Sequence, residues 1–202
     1  MAPPESRAES DSVTLWARRL HQEGKSTAEV MQAIYGVDLP AEAYALDRAY
    51  AGGLDLPLVR MVHPWELMGD AARESDEDWS REQEDQAFAL WPRFLPLLQL
   101  AAEDAIHGNH VIGYDLEELR AGKPTIWGCD GDIPPEGGAL VVVGPSLLAV
   151  LHEWLADHHR MLDQQLRSPA NRGFGSIRDV DVSEVADQLR AIEALQREVA
   201  AS

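Results

Sequence analysis

An α+β fold with a central, mostly antiparallel sheet of about four to six strands is predicted by three observations. Apolar residues recur at helical spacing towards both ends of the chain. A run of short, strand-like segments with brief connections fills the middle. Strand and helix do not alternate regularly, as a parallel sheet would require.

Residues 1–11, "MAPPESRAESD", are rich in Pro, Ser and Glu and read as a disordered leader. A helix is expected from Ser12 to about Glu23, with Val13, Leu15, Trp16 and Leu20 as its apolar residues and Gly24 as its stop. Ser26 or Thr27 caps the next helix, "STAEVMQAIYG", which Gly36 closes. In "VDLPAEAYALDRAYAGG", Pro40 lies in the first turn of a third helix. Tyr44, Leu46 and Tyr50 supply its apolar surface, and Gly52 and Gly53 stop it. A short strand, Leu58 to Val62, precedes the turn at His63-Pro64.

"DAARESDEDWSREQEDQ", Asp70 to Gln86, holds eight acidic and two basic residues and reads as a solvated insertion. Trp79 inside it is an anchor candidate, because an indole among charges packs back onto the body or meets a partner.

"RFLPLLQLA", "HVIGYDL" and "KPTIWGCDGD" read as successive strands, and "GALVVVG" as a fourth or as the lead-in to a helix. In "PSLLAVLHEWLADHHRMLDQQL", 145–166, the residues Leu147, Leu148, Leu151, Trp154, Leu155, Leu162 and Leu166 form one broad apolar face. Leu151, Trp154 and Leu155 are expected to be buried against the sheet. "RSPANRGFGS" is a break, and "VSEVADQLRAIEALQREVA" a terminal amphipathic helix. The expected organisation is a leader and helix over 1–25, an α+β domain over 26–166, and a loop with the terminal helix over 167–202.

The composition limits the functional classes. The 202 residues are 45% hydrophobic and 26% charged, as expected of one ordinary globular core. No apolar run approaches the roughly 20 residues of a membrane-spanning helix, and the N-terminus carries no secretory pattern. A single cysteine, Cys129, excludes an intramolecular disulfide and fits a reducing cytoplasm, the expected location. With 35 acidic against 17 basic side chains the net charge is −18. That field repels nucleic acid and anionic membranes and favours a basic partner, besides keeping the protein soluble.

The chemical motifs are weak. "HGNHVIGYDL" places His107 and His110 around a Gly108-Asn109 turn, flanked by Asp104 and Asp115. Residues three apart on a turn share no fixed direction, and a zinc site needs a third ligand. His152, His158 and His159 lie on the long helix, where they read as a solvated edge. Cys129, after Trp127-Gly128, reads as a small core residue. Asp130 and Asp132 lack the ligand density of a calcium loop. No catalytic residue, metal or cofactor is expected, and the chain does not read as an enzyme.

In the order of its short motifs the chain resembles the SUKH superfamily of Smi/Knr-like domains. "GVDLPAEAYALDRAYAGG" resembles the opening helix of the family, and "FLPLLQLAAEDAIHGNHVIGYDL" its apolar strand, acidic-glycine turn, Gly-Asn pair and following strand. "PTIWGCDGD" stands where members place a strand with an aromatic and acidic residues. The helix from Pro145 resembles the closing helix, with Leu148 or Val150 in place of a usual Phe. The likeness runs over roughly residues 26–160. The acidic segment 70–86 and the last forty residues depart from it.

The resemblance implies a SUKH-like fold, a structural turn at His107–His110 and a non-enzymatic protein-binding module. Bacterial members are linked to immunity against polymorphic toxins, often nucleases or deaminases, whereas fungal relatives act in cell-wall regulation and signalling. A cognate toxin with a basic face is the expected partner, and a regulatory or scaffolding role with a cellular partner is the alternative. Partner contacts are expected at Trp127, Asp130 and Asp132, then at Glu103, Asp104 and Tyr114, with Trp79 in the acidic insertion as a further candidate.

Overall fold

The computed structural model describes residues 19–20, 22–56, 59–61, 93–100, 110–129, 140–168 and 179–201. In chain order the elements are α1 (Thr27–Tyr35), α2 (Ala41–Ala51), β1 (Val59–Met61), β2 (Phe94–Leu100), β3 (His110–Asp115), α3 (Leu116–Arg120), β4 (Ile126–Cys129), β5 (Val141–Gly144), α4 (Leu147–Arg167) and α5 (Asp179–Ala200). The fold is α+β, with a five-stranded antiparallel sheet in the order β1-β2-β3-β4-β5. Residues 19, 20 and 22 are helical, just before the expected stop at Gly24. The leader, the acidic segment 70–86 and the 107–109 turn lie outside the described residues.

Contacts divide the chain into two compact units that cross the expected boundaries. One holds residues 1–40 and 57–144, and the other residues 41–56 and 145–202. The second unit thus joins α2 to the two long helices, elements far apart in sequence.

In the first unit, α1 begins with a reciprocal cap at Ser26, one of the two cap residues expected, and Thr27 is its first helical residue. The Ser26 hydroxyl accepts from the Glu29 N–H at 3.3 Å, and the Glu29 carboxylate accepts from the Ser26 N–H at 2.9 Å. Val30, Met31 and Tyr35 bury the apolar side of the helix, and Gly36 ends it at φ 64°, a conformation that costs glycine little.

The sheet is a simple meander. β2 carries a bulge: Pro96 stands opposite Gly113, but Leu98, not Leu97, stands opposite Ile112. The bulge accommodates a proline, which cannot donate to the ladder, inside a strand with neighbours on both sides. Leu95, Leu98, Ile112, Tyr114 and Ile126 form one buried face of the sheet. Phe94 and Val111 are buried on the other, with Trp127 and Leu140 packed against them. β2 is therefore apolar on both sides, which explains its unbroken "FLPLL" run.

"GALVVVG", open between strand and helix from its sequence, contributes β5. This strand pairs with β4 through Trp127 opposite Val142 and Gly128 opposite Val141, with a register shift before Ile126 meets Gly144. Gly128 is required by close packing. A Cβ there would lie 2.8 Å from Val143 Cγ2 and 3.3 Å from Ile112 Cγ2.

The second unit is a cluster of α2, α4 and α5. Along α4, Leu147, Leu151, Leu155 and Leu162 are buried on the stripe predicted by the sequence, whereas His158, expected on a solvated edge, is buried with them because it falls on the same side of the helix. Trp154 is half-buried and stacks on His158, with centroids 6.0 Å apart and planes inclined by 7°. α5 runs antiparallel to α4, as Gln196 donating to the Leu148 carbonyl and His152 facing Glu193 require. Val185 and Ile192, seven apart, supply its buried side.

The start of α4 shows where its free amide groups go. Ser146 Oγ accepts from the Ala149 N–H at 3.2 Å. Glu42 of α2 accepts from the Leu147 N–H at 2.7 Å and the Leu148 N–H at 3.2 Å, one on each carboxylate oxygen. Glu42 is only 8% exposed, so these are buried, charge-assisted bonds across 105 residues of sequence.

Candidate functional site

The strand pair β3–β4 and the short helix between them build a cleft in the first unit. β3 ends at Asp115, whose backbone is still extended while its Oδ1 accepts from the Glu117 N–H at 2.8 Å and the Glu118 N–H at 3.0 Å. This cap starts α3, and Gly122 at φ 73° turns the chain back towards β4. Glu117 and Glu118 therefore stand in the first turn of a helix, where the backbone amide dipoles favour negative charge.

Arg93, just before β2, organises the carboxylates. It lies 3.1 Å from Asp115 Oδ2 and donates to Glu117 Oε2 at 2.6 Å, while its carbonyl accepts from the Leu116 N–H at 2.7 Å. Asp115 is 7% exposed, so its charge needs both the amide groups and the guanidinium. From β4, Trp127 Nε1–H donates to Glu118 Oε2 at 2.9 Å. Gly113 stands opposite Trp127 in the register and adds no side chain beside the indole.

Arg93, Asp115, Glu117, Glu118, Ala121, Lys123, Trp127 and Leu140 line a cleft of about 490 Å³. Three carboxylates face two cations there, and Arg93 is already bridged to two of the three. What remains is an aromatic wall, half-buried, with a carboxylate fixed at its edge. That combination suits a cationic side chain, which can lie against the ring while pairing with the acid.

Trp127 lines the cleft beside Glu118, a residue the sequence did not single out. Asp130, Asp132, Glu103, Asp104 and Trp79 lie outside the described residues. Tyr114 requires a correction. It is 0% exposed and sits opposite Ile126 and Leu95, on the sheet face away from Trp127, so its side chain is core rather than contact surface. His110 is the first residue of β3, paired with Leu100, and Cys129 ends β4 opposite Val111. No group of three His, Cys, Asp or Glu side chains that could hold a metal occurs among the described residues. No helix among them is long and apolar enough to cross a membrane.

Sequence reasoning missed Arg93, Glu117, Glu118, Lys123 and Leu140. The helix carrying two of them had a signal: Asp115-Leu116-Glu117-Glu118 is a cap residue followed three positions later by Glu, with Gly122 beyond. Comparison with protein-family models, with curated proteins and with solved structures finds no match, so the functional argument rests on this geometry.

Proposed function

We propose that this chain is a non-enzymatic protein-binding module of SUKH-like type that takes a basic side chain of a partner protein against Trp127. The observation that carries the reading is the Trp127–Glu118 pair at the edge of an acidic cleft, in a chain of net charge −18. The bond to Glu118 fixes the indole, so little side-chain freedom is lost when a partner arrives. The overall charge draws a basic surface towards the cleft and repels nucleic acid and anionic membranes.

In its concrete form the proposal is a cytoplasmic immunity protein that neutralises a cognate bacterial toxin of nuclease or deaminase type by covering its basic face. Co-expression with the product of the neighbouring gene is the test. Growth rescued from a toxic neighbour supports immunity, and a harmless neighbour that still binds supports the regulatory role instead. With the partner in hand, Glu117→Gln and Glu118→Gln together should slow association by about tenfold at low salt and flatten its salt dependence. Unchanged association kinetics would remove the cleft from the reading.

A further inference from the structure

Among the described residues the sheet ends at β5, which is paired with β4 alone. Its three valines are among the most exposed large apolar residues described: Val141 at 51%, Val142 at 59% and Val143 at 41%. Edge strands are usually blunted by charge, by proline or by a bulge. Here the strand carries no charge, Pro145 lies beyond it, and the register shift falls after Val142. Val141 and Val142 keep regular pairing with β4 ahead of the shift and leave a short, apolar edge.

We infer that β5 is a docking edge for an extended segment of a basic partner protein, which adds to the sheet as a further strand and lays lysine or arginine side chains across Val142 towards the Trp127 cleft. This rests on the cleft reading above and names the form of the partner.

Two observations select this occupant. Val142 stands directly opposite Trp127 and Leu140 lines the cleft just before β5, so edge and cleft are one continuous surface. Strands lie about 4.8 Å apart, which puts an added strand some two spacings from β4 and its long side chains within reach of the indole. Charge then excludes a second copy of the chain as the better fit. It would bring another −18 to an edge with no cation of its own and set two acidic clefts together. The recognised segment should alternate basic residues on the Trp127 side with apolar residues on the other.

The test uses the full chain and a labelled eight-residue peptide of alternating valine and lysine with blocked ends. Two further versions are N-methylated on alternate amides, one version for each edge of the peptide. A ladder uses only one edge, so one methylated peptide should bind about tenfold more weakly while the other binds as the parent does. Amide exchange at residues 141–144 should slow on peptide addition. Val142→Lys should weaken the parent peptide by about tenfold without changing the melting temperature.

Equal binding of all three peptides would reduce the interaction to charge attraction and overturn strand addition. Binding lost in Glu117→Gln with Glu118→Gln but untouched by Val142→Lys would keep the cleft and overturn the edge. Slowed exchange in β5 that survives the double Gln variant would keep the edge and remove the cleft. A dimer of the free chain that Val142→Lys dissolves would give the edge to a second copy.

Discussion

Glu42 and Asp115 both cap helix starts with a carboxylate, and their surroundings set them apart. Glu42 reaches α4 from α2, and each of its oxygens accepts a backbone N–H in a buried setting. Asp115 caps the helix that follows it directly, placing both N–H groups on Oδ1 and turning Oδ2 to Arg93, whose side chain is 59% exposed. The chemistry is the same, but Glu42 closes a tertiary joint within the helical unit, whereas Asp115 connects a local turn to an open, charged cleft. A cap becomes part of a surface when one of its oxygens is left for a solvent-facing partner.

The largest effect is expected at Glu42. Glu42→Ala leaves two buried N–H groups without their acceptor and should destabilise the protein by about 3 kcal/mol in urea unfolding. Glu42→Gln, which keeps one acceptor oxygen, should lose about half of that. Asp115→Ala should cost about 1 kcal/mol, the ordinary value of a local cap. It should also free Arg93 from the carboxylate that fixes it. Equal losses at the two sites would end the distinction between joint and surface cap.

The smallest effect sharpens the comparison with a third cap. The Ser26 backbone N–H, then Lys25 and the Ser26 hydroxyl, hold the Glu29 carboxyl down at about 2, from an ordinary value of 4.5. A carboxyl depressed in the folded state contributes stability that is present above its unfolded value and lost as pH falls through the folded one. The start of α1 should therefore loosen between about pH 4.5 and 2. Carboxyl titration by NMR checks this. A Glu29 midpoint near 4.5 would mean that the cap is open in solution.

Much of the fold was legible because its signals are local. Ser26 with Glu29, Gly36, the Gly52-Gly53 pair and the apolar stripe of α4 each act within a few residues of themselves. The "VIGYDL" and "TIWGC" segments announced β3 and β4 through β-branched and aromatic residues. The site was legible only in part. Trp127 stood out as an aromatic beside a glycine, but its partner Glu118 comes from a five-residue helix too short to show a period. Arg93 meets Asp115 across the β2–β3 pairing, and no local pattern carries that pairing. Tyr114 illustrates the converse: alternation puts neighbouring residues on opposite faces, so it could not share a surface with Gly113's partner Trp127.

The bulge at Leu97 acts as a phase shifter. Before it, Leu95 points to the face that Tyr114 and Ile126 occupy; after it, Leu98 regains that face three residues on instead of two. Removing that one residue would give a regular ladder, in which Leu98 follows Pro96 directly and still stands opposite Ile112. Isoleucine could replace leucine along β2 with modest consequence. The extra residue bends and twists β2 locally without changing which of its flanking side chains face the core.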